Sequence, residues 1–184
     1  MKNFFIEGAA LEGLRLLRRN PKNDERGQFT RLFCAEELGL AGWKDPISQI
    51  NFSFTKMRGT IRGMHYQMPP YAEMKMISCI KGGIWDVAID LRAGSSTFMK
   101  WQGFELNEGN GVALLIPPGF AHGFQTLSDN VELIYCHSKP YNCEAERGIN
   151  PADPLIGINW PIKASLLSAR DKGMTMIANT FKGI

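Results

Sequence analysis

Residues 74–91 read Met-Lys-Met-Ile-Ser-Cys-Ile-Lys-Gly-Gly-Ile-Trp-Asp-Val-Ala-Ile-Asp-Leu. Two segments rich in Ile, Val and Trp flank Lys81-Gly82-Gly83, and neither has the three- and four-residue apolar spacing of a helix. β-Branched and aromatic residues fit a pleated, half-buried surface, and adjacent glycines supply the positive φ of a tight turn. The stretch therefore predicts a β-hairpin turning at Lys81-Gly82-Gly83.

The same punctuation extends in both directions. Nineteen glycines and ten prolines cut the chain into short pieces, and further strands are predicted over 28–33, 47–55, 98–106, 112–116 and 131–138. Short strands at regular spacing make an all-β sandwich or barrel, with a jelly roll the best match. Helix is confined to one or two turns over Ala35–Leu40, and the stretch from Leu166 onward has no regular period. At 184 residues, one domain over 1–184 accounts for the whole chain.

Composition narrows the function. Hydrophobic residues make up 44% and charged residues 21%, enough apolar surface for a core. A net charge of +3 is too small and dispersed for nucleic acid to be the main partner. The basic run Arg15, Arg18, Arg19 and Lys22 reads as a solvated face. Cys34, Cys79, Cys136 and Cys143 form no C-x-x-C pair and read as free thiols of a reducing compartment. Phe4-Phe5-Ile6 is followed at once by Glu7, so no signal-peptide core develops, and no apolar run approaches the ~18 residues that span a bilayer. The expected location is cytoplasmic, without a membrane partner. There is no Walker loop, no G-x-S-x-G elbow, and Gly109-Asn110-Gly111 lacks the third glycine of a dinucleotide loop.

Of the three histidines, His65, His122 and His137, the candidate chemistry gathers around the first two. His65 stands three residues after Arg62 in a glycine-marked segment, where an arginine fork could hold a phosphate beside an imidazole doing acid–base work. His122 follows Pro117-Pro118-Gly119 in a rigid turn that leads into a strand, and it shares with His65 the look of a residue between strands. Lys75 shares a strand face with Ile77 and Cys79. If that face is interior, its ammonium must be paired or serve a purpose, because an unpaired buried charge costs several kcal/mol, roughly. If the face is exterior, Lys75 is a surface residue. Asp86 and Asp90 share one face of the next strand, where an aspartate would suit a histidine partner. Tyr135 falls in line with Val131 and Leu133, and its hydroxyl needs a partner if buried. His65, Gln67, Glu73 and His122 also compose a possible divalent-metal set. Against it, position 67 is glutamine where a metal cupin has a second histidine, and Lys75 would repel a cation.

Taken together, Arg26-Gly27-Gln28-Phe29, Gln49-Ile50-Asn51, Gly59 to Gln67, Lys75, Asp86-Val87, Asp90-Leu91-Arg92, Ile116 to Phe124, Glu132 to Tyr135 and Arg170-Asp171 resemble the dTDP-4-dehydrorhamnose 3,5-epimerase family. The resemblance runs from about residue 4 to 172 in unchanged order. It implies a cupin-type double-stranded β-helix with short peripheral helices, acting as a homodimer without metal or organic cofactor on a nucleoside-diphosphate 4-keto-6-deoxyhexose. By position, His65 resembles the base, Asp171 its carboxylate partner, Tyr135 the acid on the opposite face, and Lys75 the donor to the enolate oxygen. The resemblance further implies that His122 and Asp86 line the sugar pocket, that Arg26 and Arg62 hold the diphosphate, and that Gln49, Asn51 and Glu146 touch substrate. Two positions depart from the pattern. Arg31 stands where the family usually has glutamate, and Arg170 where it usually has lysine. The first leaves thymidine, cytidine and guanosine carriers open, and inversion at C3, C5 or both is equally open. The alternatives are a non-catalytic sugar-nucleotide-binding cupin and a metal-dependent cupin enzyme.

Overall fold

A computed structural model describes residues 2–184. In chain order its strands are β1 (Phe4–Gly8), β2 (Arg15–Arg19), β3 (Lys22–Asp24), β4 (Gly27–Phe29), β5 (Gln49–Thr55), β6 (Ile61–Gln67), β7 (Lys75–Lys81), β8 (Gly83–Asp90), β9 (Trp101–Asn107), β10 (Val112–Ile116), β11 (Phe120–Thr126), β12 (Val131–His137) and β13 (Glu146–Gly148). Two short helices complete the list, α1 (Ala35–Gly39) and α2 (Ala169–Lys172). The six-stranded sheet runs β1-β2-β10-β7-β12-β5, the five-stranded sheet β13-β6-β11-β8-β9, and β3-β4 forms a small separate ribbon. The two larger sheets pair antiparallel throughout and make the expected jelly roll.

The predicted hairpin at Lys81-Gly82-Gly83 does not form. β7 and β8 are consecutive strands, but β7 pairs with β10 and β12 whereas β8 pairs with β11 and β9. The turn is sharp, as its glycines suggested, with Gly82 at a φ of 73°. What it does is pass the chain from one sheet to the other. A side chain at Gly82 would meet Ser128 and Val131, so this corner is sealed by the loop before β12. Lys75 and Asp86 thus approach the core from opposite walls.

Period-two alternation fills the space between the walls. Ile77 and Cys79 of β7, Leu114 and Ile116 of β10, and Val131 and Leu133 of β12 meet Ile84 and Ala88 of β8, Phe120 and Phe124 of β11, and Leu106 of β9. A second apolar cluster lies under α1 on the outer face of the six-stranded sheet, and a third lies behind the five-stranded sheet under the C-terminal segment. Arg19, read as part of a solvated face, is instead buried and donates to Ser78 Oγ at 2.6 Å. It shares a strand face with Leu17, which lies in the apolar cluster formed with Leu38 and Trp43, so that face of β2 is covered. The predicted strand over 28–33 shortens to Gly27–Phe29, and residues 31–34 are irregular.

One irregularity sets the site. In an undisturbed strand, side chains three apart point to opposite faces. Along β6 and β11, His65 pairs with His122 but Arg62 pairs with Phe124, so two residues of β6, Gly63 and Met64, stand against Gly123 alone. This β-bulge restores phase and brings Arg62 and His65 to the same side. It depends on glycine. Gly63 has a φ of 129°, and a Cβ there would lie 2.5 Å from the Gly123 Cα. Gly63→Ala is accordingly expected to destabilise the protein by about 1–3 kcal/mol, read as a lower urea midpoint with unchanged slope; a midpoint equal to wild type would show that the bulge tolerates a side chain.

Candidate active site

Much of the space between the sheets is filled by the apolar core. Beyond it the interior turns polar, and a cavity of about 570 Å³ opens between the sheets, within the ordinary range for ligand pockets. His65 and Arg62 come from β6, Lys75 from β7, His122 from β11, Tyr135 and His137 from β12, and Gln49, Asn51 and Ser53 from β5. Glu146 of β13 and Arg170 and Asp171 of α2 complete the rim. The two histidines thought to lie between strands are inside strands. Their neighbouring glycines serve close approach of two backbones, not turning.

The buried charged side chains at the cavity are paired. Lys75 Nζ lies 2.9 Å from Glu73 Oε1, with both side chains nearly sealed from water. The second oxygen of Glu73 accepts from Gln67 Nε2 at 2.8 Å, and Gln67 is itself fixed by Tyr71, Pro140 and Asn142. The interior reading of Lys75 is the correct one. His122 Nε2 bonds Asp86, whose side chain is fully enclosed on the inward face of β8, where it orients the imidazole that faces the cavity.

His65 Nε2 lies 2.8 Å from Asp171 Oδ1. Burial alone would raise the Asp171 carboxyl, but hydrogen bonds from His65, the Gly63 amide and Ser168 hold it below the usual carboxylate range. An ionised carboxylate only accepts, so His65 Nε2 donates, and in the neutral imidazole Nδ1 carries the free lone pair. Tyr135 Oη is 3.1 Å from Ser53 Oγ. Enclosure of the phenol raises its pKa well above the ordinary value, a shift opposed by the Ser53 hydrogen bond and by the field of Arg62 and reinforced by Asp86. At neutral pH Tyr135 is a phenol with a proton to give.

At the mouth, Glu146 bridges Arg170, at 2.6 Å, and the Tyr141 hydroxyl, at 2.9 Å. Gln49 accepts from the Tyr141 amide at 2.7 Å. Arg62 is exposed and donates to the Phe54 carbonyl at 3.3 Å. Arg26 and Arg31 do not join this constellation. Arg26 lies on the β3-β4 ribbon, paired with Asp24, and Arg31 lies 4.0 Å from Glu37, both outside the lining of the cavity. The residues weighed for a metal site are hydrogen-bonded or ion-paired within the chain. Among the described residues no three His, Cys, Asp or Glu side chains are grouped to hold an ion, and the proposed donors His65, Glu73 and His122 are each engaged elsewhere.

Ser53, Tyr141 and His137 are among the lining residues that were not singled out as site residues. β5 carried a signal for the first, since Gln49, Asn51 and Ser53 alternate with Ile50, Phe52 and Phe54, and a polar row of that kind can face a cavity as readily as bulk water. His137 lies two residues beyond Tyr135 on the same face, its ring stacked at 6.2 Å between centroids.

These features coincide with a known family. The dTDP-4-dehydrorhamnose 3,5-epimerase family matches residues 8–179. The chain belongs to this epimerase family. A dTDP-4-dehydrorhamnose 3,5-epimerase of Shigella flexneri is 44% identical over 149 residues, 80% of this chain and 82% of that protein. Among solved structures, the dTDP-6-deoxy-D-glucose-3,5-epimerase of Legionella pneumophila, in complex with dTDP-4-keto-L-rhamnose, is 35% identical with a TM-score of 0.89, covering 94% of this chain and 92% of that one. A 3'-monoepimerase of Streptomyces bikiniensis, in complex with dTDP-quinovose, is 32% identical with a TM-score of 0.85, covering 91% and 85%. The epimerase class and the cupin-like fold expected from the sequence are both borne out.

The environment of His137 has a measurable consequence. Burial, with Lys75 and His122 adding positive charge against the opposing field of Glu73, pushes its pKa down from 6.5 to about 4. Between those values the unfolded chain binds a proton that the folded chain refuses, so stability falls as pH falls through this window. The contribution amounts to up to about 3 kcal/mol. His137→Gln is expected to flatten the dependence of unfolding free energy on pH between about 6.5 and 4 relative to wild type; parallel curves for the two proteins would refute the assignment.

Proposed function

We propose that this protein epimerises a dTDP-linked 4-keto-6-deoxyhexose at a carbon beside the C4 ketone (C3, C5 or both), through an enolate. The observation that carries the reading is the convergence of the His65–Asp171 pair, Lys75 and Tyr135 on one cavity between the sheets. Carbon acids beside a ketone are weak, and the barrier falls only if charge developing on the carbonyl oxygen meets a donor already in place.

His65 Nδ1 takes the proton. The C–H electron pair forms the ring C=C bond, and the carbonyl π pair moves onto O4, which Lys75 Nζ stabilises. Asp171 supports the imidazolium thus formed. Tyr135 delivers a proton to the carbon from the opposite face, inverting it, and the tyrosinate and imidazolium then exchange with solvent to restore the starting states. Glu73, 2.9 Å away, holds Lys75 Nζ in place in this scheme. His122, held by Asp86, lines the sugar subsite with Gln49 and Asn51; Arg62, Arg170 and Glu146 meet the nucleotide diphosphate portion. Binding energy gathered there orients the ring over the base.

No metal or organic cofactor takes part in this scheme, which uses only side chains of the chain. The protein acts as a homodimer in the cytoplasm, a compartment that suits four free cysteines. Among the described residues no helix is long and apolar enough to cross a membrane. A second copy is placed on the outer face of the six-stranded sheet, where Ile50, Phe52 and Phe54 on the edge strand β5 are 62%, 62% and 47% exposed. Arg26 and Arg31, remote from the cavity of their own chain, serve the cavity of the partner in this arrangement. The carrier is thymidine diphosphate by analogy with the two relatives solved with dTDP-sugars.

Proton exchange in D₂O tests the chemistry. With the dTDP-linked substrate, deuterium is expected at C3, C5 or both, at the same rate before and after chelator treatment. Cytidine and guanosine carriers are expected to exchange more slowly. His65→Ala should lose exchange by about 10²-fold or more, whereas Tyr135→Phe should retain exchange but lose inversion. Wild-type turnover by both variants, or no deuterium with any carrier, would sink the proposal, and rate loss on chelation would turn it toward metal chemistry.

The dimer is checked separately. Phe52→Asp places a charge in the middle of the apolar row and is expected to shift the protein from dimer to monomer in analytical ultracentrifugation, with an unchanged circular dichroism spectrum; a dimer that persists undiminished would put the interface elsewhere.

A further inference from the structure

We propose that Asn150 is a positioning residue for the base, setting the place of Asp171 against His65 through α2. The inference rests on the reading of His65 and Asp171 as the base pair. It begins with a difficulty. α2 has four residues, Ala169–Lys172, and only Asp171 of these is buried. A single turn has no stability of its own, because the first hydrogen bond fixes several residues at once. Nor does this turn present an apolar face to the sheets. Its position must therefore come from specific polar ties.

At its start, Ser168 caps the turn, the hydroxyl accepting from the Asp171 amide at 3.0 Å. At its end the tie is Asn150, a buried residue two positions beyond β13. The Asn150 side-chain amide donates to the Lys172 carbonyl at 3.0 Å and to the Met174 carbonyl at 3.3 Å. Its backbone amide donates to the Thr175 carbonyl at 3.2 Å, and Oδ1 accepts from the Ala152 amide at 3.0 Å. Both amide protons are thus spent on the segment just after Asp171.

Asn150 is in turn rigidly referenced to the base. Gly148, two residues earlier, pairs with His65 in the sheet, and Ile149 exchanges two backbone hydrogen bonds with Met64. Met174 closes over Gly148, where even a Cβ would come within 2.3 Å of its sulfur. A short path of fixed bonds therefore runs from the strand bearing His65, through residues 148–150, to the turn bearing Asp171. Loss of the Asn150 amide frees the C-terminal end of that turn, and a displacement of about 1 Å between catalytic groups can cost up to about 10²-fold in rate.

The test is a double-mutant cycle on purified full-length protein, read by kcat and KM for epimerisation. Asn150→Asp keeps the shape and the Ala152 contact while removing both amide donors, and Asn150→Ala is its companion should either variant fold poorly. In the wild-type background each is expected to lower kcat by about 10- to 100-fold with KM changed less than about 3-fold. In an Asp171→Asn background the same change should cost less than about 3-fold more, since the group it positions is already gone. The far-downfield proton resonance of the His65 imidazole N–H should broaden or vanish in the Asn150 variants. Wild-type kcat, or an equal loss in both backgrounds, would overturn the clamp. Full activity in Asp171→Asn alone would instead overturn the base assignment on which the clamp rests.

Discussion

An ammonium drawn between two β-sheets has to bring its countercharge along, and the polar end of this sandwich is organised by that requirement. Lys75 is the most demanding case. It lies on the inward face of a central strand, beside Ile77 and Cys79, and Glu73 meets it at 2.9 Å. Glu73 then needs its own remaining oxygen satisfied, which brings in Gln67, and Gln67 fixes the chain at Tyr71, Pro140 and Asn142. One buried charge thereby determines the course of two loops at the cavity mouth. The same logic repeats with His122 and Asp86 and with His65 and Asp171. Removing one member of such a pair leaves the other uncompensated, which is costlier than never having buried either.

Strand periodicity explains what was legible in the sequence. Alternation correctly put Lys75 with Ile77 and Cys79, Asp86 with Asp90, and Tyr135 with Val131 and Leu133, because a period of two belongs to any half-buried strand and owes nothing to its neighbours. Pairing is another matter. Gly82-Gly83 announced a sharp turn, but a turn between strands of one sheet and a corner between two sheets make the same local demand on φ, and only the packing of Ser128 and Val131 over Gly82 distinguishes them. Arg62 and His65 were puzzling for a related reason. Their odd spacing contradicts a common face until one extra residue is admitted, and nothing in Gly63 or Gly123 alone says which strand will carry it. Asp90, read as a companion of Asp86, is taken up by Arg92, Ser95 and Thr97 in the corner after β8.

Residues brought in by tertiary ties were the least visible. Ser53, Tyr141 and His137 gain their place from strands and loops distant in sequence, and Asn150 from a one-turn helix that no periodicity would reveal. Arg26 and Arg31 illustrate the reverse. Their positions in the sequence match those of substrate contacts in the family, yet their surroundings in one chain are an ion pair with Asp24 and a loose approach to Glu37. Letters that match a pattern do not by themselves place a side chain in the pocket; the course of the chain between them does.

The pairing of charges also bears on why this cavity suits an enolate. In the proposed scheme, Arg62 at the mouth, Lys75 with Glu73, His122 with Asp86, and His65 with Asp171 are all in place before reaction. Moving a proton from carbon to His65 converts that pair into imidazolium and carboxylate, and the new negative charge appears on the substrate oxygen instead. Little has to be desolvated at that moment, because Lys75, Glu73 and Asp171 are already buried and already held. The reorganisation that water would require is thus completed during folding. The phenol of Tyr135 fits the same account. A hydroxyl whose pKa is raised by enclosure keeps its proton until a stronger base than water is formed next to it, and an enolate carbon is such a base.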